Sequence, residues 1–412
     1  MTEEEAKSFF QTRVFWVVFC GTVVLALSIG IRLTFGLFLQ PMSAAMGWGR
    51  EVFALAIALQ NLIWGASQPF IGMIADRKGA GRVVAVGGVG YGLGLYLMSQ
   101  STTPLALNFS AGLVIGLALS GTSFAVVLGA VGRAVSVKRR SMALGIASAG
   151  GSIGQFAILP VGQLMIGTQG WVFALIALGA IAAMATPFAA VLAGRPSPAA
   201  VGEPAQGIGG ALAEAGGHRG FQLLTGGFFV CGFHVTFIGT HLPAYIVDHG
   251  LSPGVGALAL ITIGFFNILG SFFWGVMGGR YSKRHSLSAL YLARAVVILA
   301  FVSVPVTVTS VLVFAGAMGF LWLGTVPLTN ALVGQIFGVR YISTLFGIVF
   351  FSHQVGAFLG VWLGGKVYDL TGSYDSVWYI AIVLGVVAAL LHWPINEAPV
   401  ARLAEAGTEA GD

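Results

Sequence analysis

Twelve apolar segments, each long enough to cross a lipid bilayer, follow one another along this chain of 412 residues. A helix of about 20 apolar residues spans the hydrocarbon core of a membrane. Only 8% of the residues are charged, whereas a soluble domain carries about a quarter. We therefore expect an all-α membrane protein. The predicted spans are 14–39, 52–75, 82–100, 104–131, 141–166, 171–194, 221–247, 255–278, 286–306, 308–334, 341–366 and 375–394.

Lysine and arginine are distributed unevenly between the two sides of the membrane. If both termini are cytoplasmic, sixteen of them fall inside, and two, Arg50 and Lys366, fall outside. Cytoplasmic loops carry such an excess, so we predict a multi-pass plasma (inner) membrane protein with both termini in the cytoplasm. The first span is too long for a signal-peptide core and is expected to be retained. The net charge of +6 follows the same rule and does not point to nucleic acid.

The chain divides into two similar halves. A Pro-, Gly- and Ala-rich stretch at 195–220 has no apolar periodicity and is expected to be a flexible linker. It separates a six-helix bundle at 14–194 from a second at 221–394, with cytoplasmic tails at 1–13 and 395–412. Small residues of span five recur in span eleven with an offset of 202, namely Ser141, Gly145 and Gly154 as Ser343, Gly347 and Gly356. Duplicated halves are typical of secondary transporters.

The loop after span two carries a recognisable motif. It reads GMIADRKGAGR and resembles the G-x-x-x-D-[RK]-x-G-[RK]-[RK] signature of the major facilitator superfamily. The resemblance implies two pseudo-symmetric six-helix bundles that rock about a central site. A merely topogenic basic loop would explain the arginines but not the aspartate. The residues expected to gate the seam between the halves are Gly72, Asp76, Arg77, Gly79, Arg133 and Arg340.

A narrower resemblance lies at the entry to span five. The stretch KRRSMALGIASAGGSIG is similar to that of monocarboxylate transporters, and Arg32 stands where those carriers often have a lysine. Their span eight commonly has an Asp and an Arg four residues apart, where this chain has Asn267 and Ser271. Bacterial members of the group resemble the chain better, in HLPAYIVDHGL and STLFGIVFFSHQVGAFLG. The resemblance implies a small organic anion as cargo, of which a monocarboxylate is one example, and does not identify the compound.

Arg32 is the only charge in its 26-residue apolar span. A buried arginine costs about 2.5 kcal/mol or more unless a bundle interior, a water-filled cavity or an anion receives it. We therefore expect its span to line an aqueous path and Arg32 to bind the carboxylate of the cargo.

Histidines are the titratable groups that suit proton coupling, because no Asp or Glu lies deep in a span. His234 and His241 share one helix face of span seven, and His353 precedes Gln354 near the middle of span eleven. Together with Asn267 these residues are candidates for the substrate site, and His234 is favoured for the proton. The alternative is that each histidine only forms hydrogen bonds between helices. Arg294 is expected to be structural, and Pro327 to kink span ten.

These observations predict a secondary active transporter that moves a small organic anion by alternating access, with proton symport or anion exchange. No P-loop is present, so ATP is not expected to drive it directly. We expect no enzymatic activity, cofactor, metal or nucleic acid, and a monomer in the lipid bilayer. Two alternatives remain, an exporter of drugs or amphiphiles with the same fold and a non-transporting membrane sensor. Such an exporter usually has a buried carboxylate, and such a sensor usually has an added signalling domain.

Overall fold

A computed structural model describes residues 13–135, 137–192, 207–338 and 341–403, with the backbone alone for Asp76, Arg77, residues 137–142 and Ser343. Within this part of the chain the regular structure is entirely helical. The membrane helices are α1 (Arg13–Leu33), α2 (Arg50–Lys78), α3 (Ala80–Ser99), α4 (Pro104–Ala134), α5 (137–169), α6 (171–183), α7 (Arg219–Asp248), α8 (Pro253–Arg280), α9 (Lys283–Val302), α10 (Val308–Phe337), α11 (Ile342–Thr371) and α12 (Asp375–His392).

These helices account for the twelve predicted spans. By length and composition, ten helical stretches in the described residues are able to cross a membrane. One of them, Ala143–Ala189, contains a break at Gly170, where φ is 84°, and so supplies both α5 and α6. Helix α2 is a further long helix with polar residues in its interior. The prediction of an all-α membrane protein with twelve spans is confirmed.

Glycines bring the first and fifth helices of each half into backbone contact. A Cβ atom on Gly30 of α1 would lie 2.6 Å from the carbonyl carbon of Gly154 on α5, which no real side chain tolerates. The equivalent position 202 residues later, Gly232 of α7, packs in the same way against α11, beside Gly356. Small residues permit such close approach between membrane helices. The sequence repeat therefore corresponds to a repeated helix contact.

One helix in each half is interrupted in its interior. The helical hydrogen-bonding pattern of α4 stops at Thr122 and resumes at Phe124, with Ser123 extended between them. Helix α10 stops at Phe320 and resumes at Thr325. The interruption in α10 therefore precedes Pro327, where the sequence predicted a kink. Discontinuous helices at the midplane accompany substrate sites in many transporters.

Arg294 of α9 stabilises the interruption in α10. Its guanidinium is fully buried and donates to the carbonyl oxygens of Leu321 and Trp322, with Nε lying 3.0 Å from the Leu321 oxygen. The C-terminal end of a helix carries unpaired carbonyls and partial negative charge, so a cation is favourable there. The expectation that Arg294 is structural agrees with these contacts.

The described parts of the linker and of the C-terminal tail contain regular structure that the sequence did not indicate. In the described part of 195–220, a helix occupies Ile208–Gly217 and α7 already begins at Arg219. After α12, the chain returns to the end of α10, where the Val400 amide donates to the Ile336 carbonyl oxygen at 2.9 Å. Glycine and alanine in the linker suppressed the apolar periodicity that usually reveals a helix.

Three contacts form the seam between the halves, namely α2 with α11, α5 with α8, and the short helical segments after α1, Phe35–Leu37 and Leu39–Met46, with α7. We call the membrane face where α1 begins and α12 ends the terminal face, and the face where α2 begins at Arg50 the far face. The hydrogen bonds described across the seam extend from the middle of α5 and α8 to the far face.

Candidate functional site at the seam between the halves

Arg32 lies at the end of α1, half-buried beside α2. One guanidinium nitrogen donates to the side-chain oxygen of Asn61, and the guanidinium carbon lies 5.1 Å from the centre of the Trp64 ring. Arg32 Nε is buried and has no hydrogen-bond partner among the described residues. No described carboxylate pairs with it. The site therefore presents an uncompensated positive charge with an unused donor.

Trp64 lies between Arg32 and the interruption in α4. Its indole nitrogen donates to Gln68 at 2.9 Å and to the Ser123 hydroxyl at 3.0 Å. Ser123 in turn donates to the Gln68 side-chain oxygen at 3.0 Å, which closes a triangle of polar groups. Trp64 is 5% exposed, so these bonds are shielded from water. One side chain thus contacts both the charged residue and the broken helix.

The opposite wall of the seam is formed by α11. Phe350 packs edge-on against Trp64 with ring centres 5.6 Å apart, and the His353 ring stacks on Phe350 at the same separation. His353 Nδ1 and the Gln354 side-chain oxygen lie 3.2 Å apart. Gln354 is fully buried and its Nε2 has no described partner. Gln354 packs against Gly65 of α2, and His353, which also contacts Phe228 of α7, is linked to the Arg32 side of the seam through Phe350 and Trp64.

The other two predicted histidines lie inside the C-terminal bundle. His234 is fully buried, with Nε2 2.7 Å from the Ala381 carbonyl oxygen of α12. His241 contacts the Tyr374 hydroxyl at 3.2 Å and the Val361 carbonyl oxygen at 2.8 Å. Both histidines join helices of one bundle and neither meets Arg32. Their placement favours the alternative that they form interhelical hydrogen bonds.

Asn267 of α8 joins the two halves where α5 and α8 meet at the seam. Its amide nitrogen donates to the Ser152 hydroxyl of α5 at 3.1 Å, and its oxygen accepts from Ser271 and from the Leu323 amide inside the α10 interruption. These contacts occupy the Asn267 side chain, which is 1% exposed. Asn267 therefore holds the interrupted helix against the other half.

A charged network closes the seam at the far face. Both terminal nitrogens of Arg50 on α2 lie 2.6 Å from the carboxylate oxygens of Asp248 at the end of α7. One of them also donates to the Tyr374 hydroxyl at 2.8 Å, and the guanidinium carbon lies 3.7 Å from the centre of the Tyr368 ring. A two-pronged pairing of arginine with carboxylate is among the stronger polar contacts in proteins.

The start of α2 is capped by a residue from the other half. The Asp369 carboxylate accepts from the backbone amides of Arg50 and Glu51 at 2.9 and 2.8 Å. Glu51 itself accepts from Lys366 at 3.1 Å and from the Trp362 indole at 3.2 Å. We refer to Arg50, Glu51, Asp248, Lys366 and Asp369 as the far-face network. Its members join the two halves and seal this face.

The residues predicted to gate the opposite face are only partly described. Gly72 lies within α2, and Gly79 separates α2 from α3 with a φ of 93°, a conformation that favours glycine. Arg133 is in the last turn of α4. The side chains of Asp76 and Arg77, and all of Arg340, lie outside the described residues. Their gating role stays a prediction.

Helical bundles related by an internal repeat, a discontinuous helix in each half and a charged residue at the seam are features of secondary membrane transporters. The sequence profile of the Major Facilitator Superfamily matches residues 18–266 and 224–410. The chain belongs to this superfamily, as the loop motif predicted.

Similar proteins of known sequence include two kinds of transporter. The chain is 25% identical to the uncharacterized MFS-type transporter YcxA of Bacillus subtilis, with 92% of this chain and 94% of that one covered. It is 29% identical to monocarboxylate transporter 11 of Mus musculus, with 88% and 83% covered. The predicted resemblance to bacterial members of the monocarboxylate transporter group is confirmed.

A solved structure supports the fold. The bacterial homologue of the human lysosomal transporter Spinster, in an inward-facing and unoccupied conformation, superposes with a TM-score of 0.72 at 15% identity. The match covers 93% of this chain and 97% of that one. The two-bundle architecture of the major facilitator fold is therefore confirmed for this chain.

Proposed function

We propose that this protein is a secondary active transporter of a small organic anion, whose carboxylate binds Arg32. The observation that carries the proposal is the half-buried guanidinium of Arg32, which has Asn61 and Trp64 as partners, an unused Nε donor and no described carboxylate. An arginine presents donors in a fork that matches a carboxylate. A cargo anion would supply the missing countercharge and accept from the unused donor.

Two features support an anion over a cationic drug. A carrier of cations needs a negative group at its site, whereas the described carboxylates that contact the seam belong to the far-face network. The relatives named as monocarboxylate transporters favour a monocarboxylate as cargo.

The second buried donor, Gln354 Nε2, lies on the opposite wall. It would contact the anion when the halves close around it.

The transport cycle follows from the proposed orientation. With both termini cytoplasmic, the far face is the outer face, and the far-face network closes the transporter to the outside. Opening would break the Arg50–Asp248 pair, and the Asp76 region would then close the cytoplasmic side. We propose that the protein works in the plasma (inner) membrane as a monomer, because each chain contains both halves of the site.

Proton coupling is assigned to His353 in this proposal. Among the three candidate histidines, it is the one that is half-buried rather than fully buried, and its ring stacks on Phe350, which contacts Trp64 of the other half. An anion bound nearby would favour the protonated imidazole, so anion and proton would bind cooperatively. Exchange of one anion for another is the alternative coupling mode and requires no titrating side chain.

The test measures binding and uptake by purified protein in liposomes, with acetate, butyrate and benzoate as probes. We expect Arg32→Ala to abolish probe-dependent thermal stabilisation and uptake, and Arg32→Lys to retain both in part. The matched control is Arg280→Ala, which removes an exposed arginine at the end of α8. Uptake by Arg32→Ala at the parent rate would refute the anion-binding role.

A further inference from the structure

Trp64 contacts Arg32, the interruption of α4 and the opposite half at once. Its ring face lies 5.1 Å from the Arg32 guanidinium carbon, and its indole N–H is shared between Gln68 and Ser123. Its ring centre is 5.6 Å from that of Phe350 on α11. Among the described residues, Arg32 donates to Asn61 of α2, and it is Trp64 that donates to Ser123 at the interruption of α4.

We propose that Trp64 is a positioning residue that transmits occupation of the Arg32 site to the interrupted helix α4 and to the opposite half. This inference rests on the proposed function, because it takes Arg32 as the anion-binding group. Trp64 acts through its neighbours and is not required to touch the cargo.

The attachment to Arg32 is electrostatic. A guanidinium over an indole face is attracted by the ring quadrupole, and tryptophan is the best of the aromatic residues for this contact. An arriving carboxylate attracts the guanidinium by its opposite charge and accepts hydrogen bonds from it. The preferred position of the guanidinium over the ring then changes. A buried ring in contact with it has to respond, since cores do not deform continuously.

The attachment to α4 uses the polar triangle of Trp64, Gln68 and Ser123. Ser123 is the single extended residue between the two parts of α4, with ψ of −174°. Gln68 also donates to the Ser120 carbonyl oxygen at 3.2 Å, on the other side of the interruption from Phe124. A rotation of the indole therefore changes the hydrogen bonds that set the angle between the two segments of α4.

The attachment to the other half is an edge-to-face aromatic contact. Such pairs contribute about 0.5–1.5 kcal/mol beyond the area that they bury. Phe350 stacks on His353, so a shift of Trp64 also reaches the residue proposed to carry the proton. Occupation of the Arg32 site, the shape of α4 and the position of α11 are thereby linked through one side chain.

The first experiment compares Trp64→Phe with Trp378→Phe in proteoliposomes. Trp64→Phe keeps an aromatic face below Arg32 but removes the indole donor. Trp378 is a matched control, because it is 1% exposed and its indole nitrogen has no described partner. We expect Trp64→Phe to lower the maximal uptake rate of the best probe about tenfold and to change its apparent affinity by less than about threefold. Trp378→Phe should keep the parent rate. A parent-like rate in Trp64→Phe would overturn the inference.

A double-mutant cycle tests the path through α4. If the bond between Trp64 and Ser123 transmits the change, Trp64→Phe and Ser123→Ala combined should slow uptake no more than the stronger single variant. A multiplicative loss would show that the two residues act independently and would overturn the inference. Thermal unfolding of each variant separates slow uptake from loss of folded protein.

A measurement without any cargo keeps the inference separate from the proposed function. Spin labels at Ala45→Cys and Ser252→Cys, exposed residues of the two halves, report the opening of the far face in a Cys20→Ala, Cys231→Ala background. We expect Trp64→Phe to shift the ligand-free distance distribution and Trp378→Phe to leave it unchanged. An unchanged distribution in Trp64→Phe overturns the inference. Failure of the proposed function would give a different result. In that case no carboxylate probe would stabilise the parent protein against heat or be taken up into its liposomes.

Discussion

Arg50 and Asp248 form a two-pronged ion pair that joins α2 of one half to α7 of the other, with both N–O distances 2.6 Å. The two side chains are 12% and 22% exposed. Partial burial reduces the screening that weakens most surface pairs. The position of this pair at the far face makes it a direct measure of whether that face is closed.

Removing the charge of Asp248 should open the far face. Asp248→Asn keeps the shape of the side chain but weakens both bonds to Arg50, and a hydrogen bond to a charged group contributes about 1.5–3 kcal/mol. We expect the Ala45–Ser252 spin-label distribution to shift towards longer distances. Asp375→Asn is the control, because Asp375 is an exposed carboxylate at the start of α12. Equal distributions in the two variants would show that the pair does not hold the face closed.

Asp76 should have the opposite effect. If it stabilises the closed terminal face, as the loop motif predicts, Asp76→Asn disfavours the far-face-open state. The same pair of labels should then report a more uniformly short distance, and uptake should slow because the cycle cannot proceed. The double variant Asp76→Asn, Asp248→Asn should lie between the two single variants. A shift of Asp76→Asn towards longer distances would contradict the gating role.

The two histidine positions make different predictions for proton coupling. His353→Gln should preserve exchange of internal for external probe anions but weaken accumulation driven by a pH gradient, because glutamine retains hydrogen bonding without titrating near neutral pH. His234→Gln is the matched comparison inside the C-terminal bundle and should keep gradient-driven accumulation. Loss of gradient response in His234→Gln alone would restore the proton role to that residue. A parent protein that ignores the gradient would favour anion exchange.

The glycine contacts predict a difference in stability between two alanine variants of α5. A Cβ on Gly154 would lie 2.6 Å from the Cα atom of Ala26, whereas a Cβ on Gly167 meets no described atom within 4 Å. Overpacking of this kind usually costs about 1–3 kcal/mol. We expect Gly154→Ala to lower the thermal unfolding temperature and Gly167→Ala to leave it nearly unchanged. Similar unfolding temperatures would mean that α1 moves away from α5 at little cost.

The number of membrane helices could be predicted because long apolar runs leave few alternatives in a bilayer. The repeat was visible because the same close helix contact needs small residues in both halves. Helix ends were less certain. The sequence predicted that Arg50 lies before the second span, whereas α2 begins at Arg50. A charged residue can begin a helix at this face because Asp248 of another helix pairs with it.

The candidate site could be predicted only in part. Arg32 was identifiable because a single charge in an apolar segment needs an explanation. Trp64 and the far-face network were missed as site residues. The contacts of the far-face network join positions 198 to 319 residues apart, and those of Trp64 reach Ser123 and Phe350 on other helices, so neither leaves a local pattern. Helical periodicity placed His234 and His241 on one face. It does not tell which neighbour that face meets, and the structure places α12 and α11 there.

Asp369 gives the start of α2 a cap that belongs to another part of the chain. When the halves separate at the far face, the amides of Arg50 and Glu51 lose this acceptor and have to turn to water. Their exchange with deuterium is therefore expected to proceed through the opening of the transporter rather than through fraying of the helix alone. Two backbone amides of the unmodified protein would thus record how often it opens to that side.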